Sequence, residues 1–111
     1  MGVVFVDPGA MRTELTLEAC TRSDDDLGGF VENWQQIGLA FALIEPVSAS
    51  SVFAADQTIE QVSHRITLRW RPDITSGMRM TRAGRRFDIV TVHDPDDTGR
   101  YLDCRVKEKG A

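Results

Sequence analysis

The chain has 111 residues, 41% of them hydrophobic and 27% charged, with thirteen Lys+Arg against seventeen Asp+Glu for a formal net charge of −4. This length supplies one core and excludes a second, and the composition excludes disorder; the longest apolar stretch, Gly38 to Ile44, is far too short for a membrane-spanning helix. A negative net charge also excludes a simple polyanion binder, which needs basic excess to neutralise phosphates.

In chain order, residues 1–11 read as an N-terminal arm, broken by Pro8-Gly9 and carrying neither the basic region nor the small-residue cleavage pattern of a secretory signal. Residues 12–109 are expected to form the domain. Thr13 to Thr21 alternates, with Leu15, Leu17 and Ala19 opposite Glu14, Thr16 and Glu18, the pattern of a half-buried strand. Arg22 to Gly29, with Asp24, Asp25 and Asp26 followed by Gly28-Gly29, reads as a polar turn. Phe30 to Ile37 and Gly38 to Pro46 are one bent strand or two short ones, with Gly38 at the bend. Val47 to Glu60 is expected to be a long loop with one helical turn.

From Val62 the period of two is clean: Val62, His64, Ile66, Leu68 and Trp70 alternate with Ser63, Arg65, Thr67, Arg69 and Arg71. Pro72 to Gly77 is a turn, Met78 to Thr81 a short strand, and Arg82 to Arg85 a tight reversal into Arg86 to His93. Asp94 to Gly99 makes the next reversal, and Arg100 to Lys107 is the last strand. The fold class is therefore all-β: five to six short antiparallel strands with turn signals between them and one long loop, forming a small barrel or a sandwich.

Few residues invite chemistry. His64 falls on the apolar face of its strand, where a hydrogen-bonded core or barrel-rim histidine is expected in place of a ligand, and His93 is placed to pair with Asp94. Cys20 and Cys104 belong to no C-x-x-C pair and read as buried thiols of a reduced cytoplasmic protein. Asp94 to Gly99 starts like a calcium loop, but Arg105 stands where the bidentate Glu is needed, and Gly99 suits the positive φ of a hairpin turn. No nucleophile is placed beside a base, so neither enzyme activity nor a cofactor or metal is expected.

Charge is divided along the chain. Residues 1–60 hold ten acidic and two basic side chains, net −8, and the remainder holds eleven basic and seven acidic, net +4. Either a solvated sheet face is neutralised by the acidic half, or the molecule has two oppositely charged sides that stack against partners. Arg65, Arg69 and Arg71 share one strand face, as a phosphate tracker would need. The aromatics that single-strand binders stack on are not evident there, since Trp70 and Phe87 read as core-facing. With eleven Arg and two Lys, the bases suit forked contacts to carboxylates, which favours a protein partner.

The run from His64 to Arg71, then Ile74, Met78-Arg79-Met80, Gly84, Phe87-Asp88-Ile89, Val92 and Arg100-Tyr101-Leu102-Asp103-Cys104, resembles the head–tail joining family of tailed bacteriophages and gene transfer agents, also called head closure or stopper proteins. The similarity covers residues 12–108 and is specific over 62–106; upstream, Gly29, Trp34 and Ala42 to Pro46 also suit the family. The resemblance implies a small antiparallel β-barrel of five to six strands with one long loop, a structural connector assembled in the bacterial cytoplasm and found at the particle neck. There it would form a ring with copies of itself between portal or adaptor and tail proteins, retain packaged double-stranded DNA that later passes through its channel, and act on no membrane. Ser48, Ser50, Ser51, Val52, Phe53 and Asp56 then become channel-loop candidates. Arg79, Arg82, Arg85 and Arg86, around one hairpin, are candidates for contact with an acidic neighbour in the ring. The alternative is a single-strand nucleic-acid-binding barrel of OB type, favoured by the Arg face.

Overall fold

Strands with one apolar face can bury it by closing the sheet on itself, and this chain does so. The computed structural model describes residues 8–47 and 62–109. After a 3-10 turn at Pro8–Ala10 come six strands: β1 (Thr13–Asp24), β2 (Phe30–Pro46), β3 (His64–Arg69), β4 (Arg79–Arg82), β5 (Arg85–His93) and β6 (Tyr101–Lys109). All pairings are antiparallel, in the closed order β1-β2-β3-β6-β5-β4, with β4 returning to β1. Of the residues predicted inward, Leu15, Leu17, Ile66, Leu68, Phe87 and Cys104 are buried, and Met80, Ile89, Leu102 and Val106 pack with them. Ile74 and Met78, from the β3–β4 connection, complete the core.

The barrel closes along a short seam, since β1 and β4 share only the pairs Thr16↔Thr81, Leu17↔Met80 and Glu18↔Arg79. Beyond this seam the β1–β2 hairpin continues as an arm, where residues 21–24 and 30–33 are exposed on both faces. The arm lengthens the molecule to 52 × 37 × 28 Å. Its turn is shorter than expected from sequence: Arg22, Ser23 and Asp24 belong to β1 and pair with Glu32, Val31 and Phe30. Polar residues are compatible with a strand here because neither face of the arm is buried.

β2 is one continuous strand, kinked where expected. Leu17 pairs with Gly38 and Glu18 with Gln36, so Ile37 is the extra residue of a β-bulge. Gly38 also leaves room for Arg71, whose Nη2 would lie 3.1 Å from a Cβ at that position. From there Arg71 donates to the Leu39 carbonyl at 3.1 Å and to both Asp73 oxygens, at 2.6 and 2.8 Å. The reversal between β4 and β5 has two loop residues, Ala83 and Gly84, at φ 49 and 84. Positive φ at both central positions is the type I′ geometry that matches strand twist.

Three side-chain expectations are corrected. Trp70 is not in the core but 46% exposed. β3 ends at Arg69, and after the Trp70 amide donates to the Arg100 carbonyl at 2.9 Å the chain turns away at Pro72; the alternation therefore outlasts the sheet that would have buried the indole. His93 meets Asp103 across the β5–β6 ladder at 3.6 Å, in place of its neighbour Asp94. Cys104 is buried as expected, whereas Cys20, on the arm, is only half-buried. Ser48, Ser50, Ser51, Val52, Phe53 and Asp56 lie outside the described residues, as do all others from 48 to 61.

Candidate protein interface

The four hairpin arginines cluster on β4 and β5, but three of them are engaged with carboxylates of their own chain. Arg79 Nε donates to Glu18 Oε1 at 2.5 Å, and its guanidinium carbon lies 3.9 Å from the centre of the Trp34 ring. Arg85 holds Glu108 through two bonds, at 2.8 and 3.1 Å, and Arg86 lies 3.5 Å from Asp88. Arg82 is exposed and donates to the Glu14 carbonyl at 3.0 Å, with no carboxylate partner among the described residues. Two ion pairs, Glu18–Arg79 and Glu45–Arg65, join the acidic half of the sequence to the basic half. The division in sequence is thus partly neutralised across the β1–β4 and β2–β3 seams.

An uncovered apolar surface was not anticipated from the sequence. On β2, Ala42 points into the barrel, so Leu39 and Phe41 point out, 50% and 59% exposed. With Met11, Trp70 and Pro72 they line an open groove whose edge carries Arg69 and the Arg71–Asp73 pair. Phe41 and Trp70 therefore sit beside Arg69, where the sequence had offered no aromatic. At the far end of the same hairpin, Leu27 and Phe30 are 90% and 71% exposed around the acidic turn. The signal was present as an apolar run without alternation. Such a run does not reveal which of its faces is buried.

That turn is tightly built. Asp25 Oδ1 accepts the Leu27 and Gly29 amides at 2.8 and 2.9 Å, bonds that hold its carboxyl below the usual carboxylate range. Asp24 Oδ1 likewise accepts the Asp26 amide at 3.0 Å. The Asp94 to Gly99 reversal uses its acids similarly: Asp94 accepts the Gly99 amide at 2.6 Å, and Asp96 accepts the Thr98 hydroxyl at 2.6 Å while pairing with Arg100 at 3.1 Å. These carboxylates close turns, and among the described residues no group of three or more His, Cys, Asp or Glu could hold a metal ion.

One cluster has the elements of a nucleophile and a base. His64 Nδ1 lies 2.9 Å from Ser63 Oγ, and His64 Nε2 lies 4.0 Å from Glu108 Oε1. The serine oxygen, however, accepts the Glu108 amide at 2.7 Å, and Glu108 itself is taken by Arg85, which together with His64 lowers its pKa. His64 stands edge-on to Phe87, with centroids 5.4 Å apart at 77°. The geometry is that of a barrel-end lock between β3 and β6. No helix among the described residues is long and apolar enough to cross a membrane.

The sequence profile of the phage head completion proteins matches residues 6–109. A chain in the virion of a native gene transfer agent particle superposes with a TM-score of 0.67 at 26% identity, over 90% of this chain and 96% of that one. Protein SF1141 from Shigella flexneri 2a, known from a solution structure, superposes with a TM-score of 0.65 at 23% identity, over 91% and 96% of the two chains. This second likeness concerns the fold. No curated protein matches the chain.

Proposed function

Because the chain belongs to the phage head completion protein family, whose members are structural proteins of the virion, we propose that it closes the filled head as a ring between the portal or adaptor and the tail. The observation that carries this reading is the match over nearly the whole chain to that family, together with the 26% identical chain in a gene transfer agent particle. The structure supplies what a connector needs. A rigid closed barrel presents an uncovered apolar groove on one side and an arm on another, and a ring requires two different, mutually complementary surfaces on every subunit.

Within this reading, Arg82 and Arg86 are the hairpin arginines best placed to meet an acidic neighbour, since Arg79 and Arg85 are held more closely by their own chain. The segment with Ser48, Ser50, Ser51, Val52, Phe53 and Asp56 leaves the barrel where Pro46 pairs with His64 and the Val47 amide donates to the Ser63 carbonyl at 2.9 Å. From that end it would face the DNA channel. With Asp56 and Glu60 its only charges, it would hold the duplex without binding it tightly. Electron microscopy of purified particles tests the proposal: density for the chain is expected at the neck, and its deletion should give heads that lose DNA or fail to join tails. DNA-filled heads still joined to tails in the deletion would refute it.

A second reading, single-strand nucleic-acid binding, gains from Phe41 and Trp70 standing exposed beside Arg69. It requires retention in a filter-binding titration that weakens steeply with salt; absence of retention at low salt removes it.

A further inference from the structure

The hairpin tip and the groove are two exposed apolar surfaces on one strand. β2 runs without interruption from Phe30, at the tip, to Leu39, in the groove, a separation of roughly 30 Å at ~3.3 Å per residue. A strand hydrogen-bonded along its length to β1 cannot fold back on itself, so within one molecule neither surface can cover the other. Between two molecules they are complementary. The tip brings Leu27, Phe30 and three acids, Asp24, Asp25 and Asp26. The groove offers Leu39, Phe41 and Trp70, edged by Arg69, which is exposed and has no carboxylate partner among the described residues.

We propose that the β1–β2 hairpin tip of one copy seats in the Leu39–Phe41–Trp70 groove of the next, its acidic turn against Arg69. The occupant of the groove is thus a second copy of this chain. The contact joins two different surfaces, so it repeats head to tail and closes into a ring where the rotation allows. Burial of exposed Leu and aromatic side chains drives it, and the charges set its register. The proposal rests on the ring reading above and specifies how that ring is joined.

The test uses assembled particles containing the full chain with Leu27→Cys and Leu39→Cys together, in a Cys20→Ser background, oxidised mildly and run on a non-reducing gel. A ladder of covalent oligomers linked between positions 27 and 39 is expected from the double variant and not from either single one. Monomer alone, from particles that contain the double variant, overturns the proposal and leaves the ring reading standing. Linkage of position 39 to a different protein also overturns it and assigns the groove to that protein. Absence of the wild-type chain from the particles would overturn the head-completion reading itself, and this proposal with it. Charge reversal gives an independent readout. Asp26→Lys or Arg69→Glu alone should weaken association about two- to fivefold per contact, the range of an exposed ion pair, and their combination should restore it. Single variants without effect, or a combination without rescue, overturn the contact.

Discussion

Replacement of Arg79 by alanine should weaken the barrel at its shortest seam without opening it. The β1–β4 ladder has three residue pairs, and Arg79 spans it to reach both Glu18 on β1 and Trp34 on β2. The two ion-paired side chains are 18% and 22% exposed, between a surface pair, worth about 0.2–1 kcal/mol, and a buried one, whose disruption costs about 3–5 kcal/mol. A value of about 1.5 kcal/mol is intermediate, and stacking of the guanidinium on the indole adds roughly 1 kcal/mol. Arg79→Ala is therefore expected to lose about 2–3 kcal/mol in urea unfolding with an unchanged m-value, and to lower Tm by roughly 10 °C. In a double-mutant cycle with Glu18→Ala the coupling should be about 1–2 kcal/mol. Arg79→Lys should recover only part of it, because an ammonium keeps the charge without the planar stack. Coupling below about 0.5 kcal/mol would refute the reasoning and leave the seam to its ladder and the Leu17–Met80 pair in the core.

Other outcomes follow from the same structure. Cys104 is buried, and desolvation followed by the Asp103 charge pushes its thiol up to about 12, so in the native protein at pH 8 a thiol reagent should modify Cys20 alone and reach Cys104 only on unfolding; two fast-reacting thiols would contradict the buried placement. Ala83, at φ 49, bears a left-handed conformation that Asn tolerates better, so Ala83→Asn should stabilise the fold by about 0.5–1 kcal/mol while Gly84→Ala destabilises it by about 1 kcal/mol or more, read by thermal unfolding; the opposite signs would exclude the type I′ turn. Asp73 is held below its usual range first by the hydrogen bonds from Arg71, and Glu108 first by those from Arg85. A folded pKa below the unfolded one gives stability that is complete above the unfolded value near pH 4 and is lost as pH falls through the folded value, so unfolding free energy should decline on acidification below about pH 4. Asp73→Asn should decline less than wild type over that window, and equal declines would remove Asp73 from the account.

Much of the fold was legible in the sequence because its signals are local. At Ile66 and Leu68, and again at Phe87 and Ile89, every second residue enters the core, so alternation marks both strand and core. The reversals at Gly84 and at Asp94–Gly99 are likewise written in a glycine that tolerates positive φ and in acids that cap nearby amides. Resemblance over residues 62–106 led to the family for the same reason, since this is where the pattern is strongest. The interface surfaces were not legible in this way. The four hairpin arginines stood together in sequence, but whether Arg79, Arg82 and Arg85 were free depended on Glu18, Glu14 and Glu108, which other strands bring to them, and only Arg86 meets its carboxylate, Asp88, on its own strand.

Composition and period two thus determined by themselves an all-β fold of short antiparallel strands with tight hairpins, a barrel or a sandwich. The tertiary structure alone decided which side of β2 faces out, that Trp70 lies beyond the end of its strand, that His93 meets Asp103, and that the β1–β2 hairpin outgrows the barrel. The physical reason is that each depends on how the strands pair. Alternation reports burial only where one face meets water and the other the core, whereas Leu39, Phe41 and Trp70 are apolar on a face the barrel leaves uncovered, and only closure of β4 against β1 defines which face that is.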